Sequence, residues 1–137
     1  MTSEVTGAAI KTSIVPWLSV RNSARAVEFY KTAFGATEVF RMEDSGSVVA
    51  RLSIEGAEFW VSEESPEHSN FSPDSLGGGT VRMILMVGET DEMFGNSLKA
   101  GATEVFAMGE AHGWRLGRVK DPFGHSWEIC RPLTEKY

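Results

Sequence analysis

Cysteine is nearly absent. Cys130 stands alone in 137 residues, which excludes an internal disulfide and suits a reducing cytoplasm. No apolar run approaches the ~20 residues that cross a bilayer. At the N-terminus (Met1 to Lys11), Thr2, Ser3, Glu4 and Thr6 interrupt any apolar core of signal-peptide length, so the expected location is the cytoplasm, with no membrane partner. Lys and Arg gather into no stripe and the formal net charge is −6, which argues against nucleic acid as a partner. The three histidines, His68, His112 and His125, show neither His-x-His nor His-Glu-x-x-His spacing. Each reads as a solvated loop residue, with His112 the candidate for an acid or base at a pocket rim. What remains, 42% hydrophobic and 23% charged residues, is the balance of one folded domain spanning 1–137.

Against this plain background stands a repeat. Gly35-Ala36-Thr37-Glu38-Val39-Phe40-Arg41-Met42 returns as Gly101-Ala102-Thr103-Glu104-Val105-Phe106-Ala107-Met108, identical at seven of eight positions. Such self-similarity implies two related halves. The octapeptide itself reads as structural: its glycine suits the left-handed position past a helix end, and its β-branched and aromatic residues suit a strand. Function is expected elsewhere, in whatever the halves enclose.

The element pattern repeats as well. Ser13 to Val20 alternates as a strand; Asn22 or Ser23 caps a helix carrying Ala26, Val27, Tyr30, Ala33 and Phe34 on one face, and Gly35 ends it. Strands follow at 36–43, 47–54 and 57–62, separated by turn signals at Asp44-Ser45-Gly46 and Glu55-Gly56. Residues 65–79, with Pro66, Pro73 and Gly77-Gly78-Gly79, read as an irregular connector. A strand at 81–87, a helix capped by Thr90 and stopped by Gly101, and strands at 102–108, 114–120 and 126–131 complete the second half. Asp121-Pro122-Phe123-Gly124 is a tight turn before the last strand. The fold class is α+β, with two β-α-β-β-β modules at 13–64 and 80–132.

Paired modules of this kind, the Phe29-Tyr30 pair late in the first helix, and the final Asp121-Pro122-Phe123-Gly124-His125-Ser126-Trp127-Glu128 resemble the vicinal oxygen chelate superfamily. That group holds glyoxalase I, extradiol dioxygenases and bleomycin-resistance proteins, and the segment 117–129 looks most like its PhnB-like branch. The resemblance implies curled mixed sheets around a cavity, often closed between two subunits, and hence a homodimer here.

The resemblance also implies a ligand set for a divalent ion, one residue on the first and last strand of each half. Carried over singly, these positions fall at Val15, near Trp60, at Arg82 and at Glu128, and only Glu128 matches. A hydrocarbon, an indole and a guanidinium offer no lone pair to a cation. No metal and no other cofactor is therefore expected. Cys130 shares the parity of Glu128, and with no basic neighbour in sequence it reads as a small buried hydrophobe.

Strand alternation nominates what lines the cavity instead. Val15 and Trp17, Glu58 and Trp60, Arg82, Ile84 and Met86, and Glu128 point one way, with Trp114 and Arg118 added at the rim. The function that follows is metal-independent binding of a flat or apolar small molecule in an aromatic cavity. The alternative is a lyase, isomerase or dioxygenase of the vicinal oxygen chelate type using Glu128. It would be either metal-dependent or metal-free, with Glu128 as general base and Arg82 as anion clamp. From the parities, Arg82 and Glu128 are expected to pair.

Overall fold

A computed structural model of the chain describes residues 9–134. The expectation about an N-terminal leader lies, up to residue 8, outside the described residues. The first half runs β1 (Trp17–Val20), α1 (Ser23–Phe34), β2 (Thr37–Asp44), β3 (Ser47–Ile54) and β4 (Ala57–Glu63). After α2 (Pro73–Leu76), the second half runs β5 (Arg82–Met86), α3 (Thr90–Lys99), β6 (Thr103–Ala111), β7 (Trp114–Lys120) and β8 (Ser126–Pro132). Each half forms one four-stranded mixed sheet, ordered β1-β4-β3-β2 and β5-β8-β7-β6. In each sheet the first strand runs parallel to the last and the other neighbours are antiparallel. This is the α+β pair of modules expected from the repeat.

Local chemistry explains most boundaries. The Asn22 side chain accepts from the Arg25 N–H at 3.3 Å, and Glu63 on β4 accepts from the N–H groups of Asn22 and Ser23 at 2.9 and 2.8 Å. Together they satisfy donors that a helix start leaves free. Gly35 closes α1 in the left-handed conformation at φ 69. The pairs Ser45-Gly46, Glu55-Gly56 and His112-Gly113 connect antiparallel strands with positive φ at both residues, the geometry type I′ hairpins require.

Three expectations need correction. The first strand begins at Trp17, not Ser13, because Pro16 has no N–H to give a ladder; its carbonyl accepts from the Trp60 N–H at 2.9 Å. Glu89, not Thr90, holds the cap position of α3, without a side-chain bond, while Asp91 and Glu92 offset the dipole. The connector is ordered: a 3-10 turn at Pro66–His68 precedes α2, whose start is capped by Ser72. Glu64 fastens it, accepting from the Ser72 N–H and the Ser75 hydroxyl, both at 2.8 Å. Those bonds, the backbone one foremost, hold the Glu64 carboxyl down from 4.5 to about 2.

One core joins the halves. Helices α1 and α3 pack on each other and cover one face of each sheet. The alternation in β3 shows the division, with Val48, Ala50, Leu52 and Ile54 buried and Ser47, Val49, Arg51 and Ser53 half-buried. Tyr30 lies among Phe34, Phe59, Phe123 and Trp127, contributed by both halves. Its hydroxyl donates to Asp121, which also accepts from Trp127 Nε1 at 2.9 Å and from the N–H groups of Phe123 and His125. The sheet faces turned away from the helices hold the candidate site.

Candidate functional site

Across the outer face of the first sheet, register sets Trp17, Trp60, Arg51 and Phe40 side by side on β1, β4, β3 and β2. The Trp17 and Trp60 rings stack with centroids 4.9 Å apart and planes at 9°. Trp17 is fixed further by its Nε1 donating to Ser62 Oγ at 2.8 Å. The Arg51 guanidinium lies 5.4 Å from the Trp60 ring centroid and pairs with Glu58. Phe40 leans on Trp60 at 5.7 Å. This wall is aromatic and its charges are internally matched.

The second sheet repeats the row with different chemistry. Ile84, Glu128, Arg118 and Phe106 stand side by side on β5, β8, β7 and β6. Arg82 Nε donates to Glu128 Oε1 at 3.3 Å, the pairing expected from parity. Arg118 Nη2 lies 3.6 Å from the same oxygen, and its guanidinium sits 5.0 Å over Phe106. Glu128 therefore occupies the place that Trp60 holds in the first half, between two guanidiniums. A cleft of about 300 Å³ lies at the junction of the halves, where Pro16, Ala57 and Glu58 meet Val81, Arg82 and Ile84.

Two residue groups escaped the sequence reading. Arg51 follows from the alternation of β3 and was legible there. Phe40 and Phe106 belong to the octapeptide repeat, read above as purely structural, yet their rings form part of both walls. A register shift between Glu38 and Phe40, and again between Glu104 and Phe106, breaks the alternation.

Other nominated residues lie farther off. Val15 is half-buried ahead of β1, with no strand to aim it. Met86 stands opposite Cys130, one ladder step from Glu128, and Trp114 opens β7 opposite Pro132, a step beyond that. Cys130 is buried, and burial followed by the Glu128 charge pushes its thiol up, which suits an inert packing group. His112 sits exposed at a hairpin tip beyond Trp114. His68 bonds Ser65 Oγ at 2.7 Å. His125, expected in solvent, is half-buried, with Nε2 2.9 Å from the Ser19 carbonyl oxygen, and so ties the halves together.

No family model matches the chain. An uncharacterised protein of Mycobacterium tuberculosis is 36% identical over 132 residues, covering 92% of this chain and 78% of that one. A counterpart in Mycobacterium bovis is also 36% identical, covering 92% and 87%. The chain belongs to their family. Its fold is that of the glyoxalase/bleomycin resistance protein/dioxygenase superfamily. A member of that superfamily from Sphaerobacter thermophilus superposes with TM-score 0.67 at 21% identity, over 88% of this chain and 98% of that one. TioX from Micromonospora sp. ML1 gives 0.68 at 26% identity over 92% and 100%, and the Arabidopsis thaliana At5g48480 gene product gives 0.68 at 29% over 88% and 98%.

Within this superfamily fold, the metal positions inferred from resemblance can be tested against the residues present. They do not fit a cation. Val15 has no donor, the Trp60 indole is stacked on Trp17, and Arg82 is itself a cation engaged with Glu128. Glu128 is a lone carboxylate shared by two guanidiniums. A second copy brings only the same four residues. Among the described residues, no three His, Cys, Asp or Glu side chains gather where they could hold a metal ion.

Proposed function

We propose that this chain is a small-molecule-binding protein of the PhnB-like branch that works in the cytoplasm and holds its ligand without a metal ion. The ligand lies in a cavity formed where the first-sheet wall of one copy meets the second-sheet wall of another. The Trp17–Trp60 stack carries this reading. Two indoles held parallel at 4.9 Å, with Trp17 still 55% exposed, form a rigid platform for a flat or apolar body. They stand beside a position where metal-binding relatives need a carboxylate. An enzymatic role for Glu128 remains the second reading, favoured by its place on the opposite wall; ion pairs with Arg82 and Arg118 suit it better to orienting a ligand than to taking a proton.

The test is a thermal-shift and fluorescence screen of flat aromatic compounds, run with and without EDTA, on wild type and Trp60→Ala. Trp60 faces away from the core, so the variant is expected to fold. Binding that survives EDTA and falls at least about tenfold in Trp60→Ala is the expected outcome. About one metal per chain by elemental analysis, with binding lost on chelation, would overturn the reading.

A further inference from the structure

We infer that the ligand of this site carries a negative charge, a carboxylate, phosphate or phosphonate borne on a flat apolar body, and that Arg82 and Arg118 receive it. The inference rests on the small-molecule reading above and names the class of compound that reading leaves open.

Charge distribution is the first support. The chain as a whole is acidic, at −6, yet the outer face of the second sheet is not. On β7 the fully buried Val119 points to the core, so Arg118 and Lys120 point outward. Lys120 and Arg82 both stand opposite Ser126, on either side of β8 and one ladder step from Glu128. Arg82 and Arg118 come together over β8, where both meet Glu128 Oε1, at 3.3 and 3.6 Å, while Lys120 borders the groove beside Pro73, Asp74 and Gly124. Two guanidiniums against the single carboxylate of Glu128 leave an excess of one positive charge on a face that the rest of the chain does not cover.

The second support is how little of the guanidinium capacity is engaged. A guanidinium presents five N–H donors. Arg82 gives one bond to Glu128 Oε1, and Arg118 approaches that same oxygen at 3.6 Å. Arg118 Nε is buried and meets no acceptor among the described residues. Glu128 thus aligns two guanidiniums without saturating either, leaving forked donors of the kind that hold carboxylates and phosphates. On the first wall Arg51 has a carboxylate of its own in Glu58, whereas here two guanidiniums share one. Ile84 and Phe106, 51% and 56% exposed, flank the charged group on its own wall and provide for the apolar body.

Three probes that differ only in the head group decide the matter: naphthalene-2-carboxylate, 2-naphthamide and 2-naphthylmethylamine. Their affinities would be measured by calorimetry at low and high salt on the full chain, on Arg82→Gln and on Arg118→Gln. Arg82 is half-exposed, so its variant keeps the test valid if Arg118→Gln folds poorly. The expected result is that the carboxylate binds about tenfold more tightly than the amide, the amine binds most weakly, and either substitution brings the carboxylate to the level of the amide. Salt should weaken the carboxylate alone. Equal binding of carboxylate and amide, or tighter binding of the amine, overturns the inference and leaves the small-molecule reading standing. A carboxylate preference kept in both variants overturns the assignment to these arginines. Failure of all three to bind at millimolar concentration overturns both readings.

Discussion

Asp121 shows what a single residue contributes here. It is 3% exposed, and its oxygens accept from Tyr30, Trp127, Phe123 and His125, so every acceptor direction is used. Tyr30→Phe should therefore cost about 1–3 kcal/mol and lower the melting temperature by several degrees, because one lone pair of a buried carboxylate loses its donor. Burial, then the Asp121 charge, raises the Tyr30 phenol well above 10.0. A group whose folded pKa is raised contributes fully below its unfolded value and loses that contribution as pH climbs past it. Wild type should accordingly lose stability above pH ~10, and Tyr30→Phe should lose less over the same range. Unfolding followed by circular dichroism between pH 9 and 11 checks this, and superimposable alkaline limbs would refute it. At this scale, alternation sufficed where strands are regular: Arg82 and Glu128 were placed on one face and they pair. Phe40 and Phe106 were passed over because the octapeptide reads as structural, and a bulge at the same point of both repeats would have broken any alternation there.

Elements were more legible than their ends. Helices and strands follow from apolar spacing, and hairpins from X-Gly pairs, because each depends on a few adjacent residues. The cap of α3 falls on Glu89, which makes no side-chain bond to mark it, and the ordered connector depends on bonds no pattern announces, such as the grip of Glu64 on Ser72. The closeness of α3 to its sheet is another such feature, and Gly117 permits it. A Cβ at Gly117 would sit 2.7 Å from Met108 Sδ and 2.8 Å from a Phe94 ring carbon. Gly117→Ala should then destabilise by about 1–3 kcal/mol through overpacking. Gly79→Ala, where nothing lies within 4 Å, is the matched control and should move the urea midpoint little. Equal midpoints for the two variants would mean that Phe94 and Met108 move aside freely.

For the whole molecule, the question is what covers the outer faces of the two sheets. Trp17, Phe40 and Met42 on one face, and Ile84, Met86 and Phe106 on the other, are each about half exposed. Apolar patches of this extent on a folded chain mark contact surfaces. The two faces also differ in kind: the first is aromatic with matched charges, the second cationic. They therefore suit each other better than either suits itself. A two-fold axis that sets the first face of one copy on the second face of another covers all four faces and creates two equal cavities. We expect a homodimer of this form, with an interface near the ~1,600 Å² of ordinary stable complexes. Sedimentation velocity at micromolar concentration should show a two-chain species. The double substitution Phe40→Asp with Phe106→Asp should yield a monomer, because it buries four carboxylates in the paired faces. That monomer should keep its circular dichroism, since neither ring belongs to the core. It should also lose ligand binding, because the proposed cavity takes its walls from two copies. A wild-type monomer at tens of micromolar, still able to bind the naphthalene probes, would show that one chain holds its ligand without a second wall.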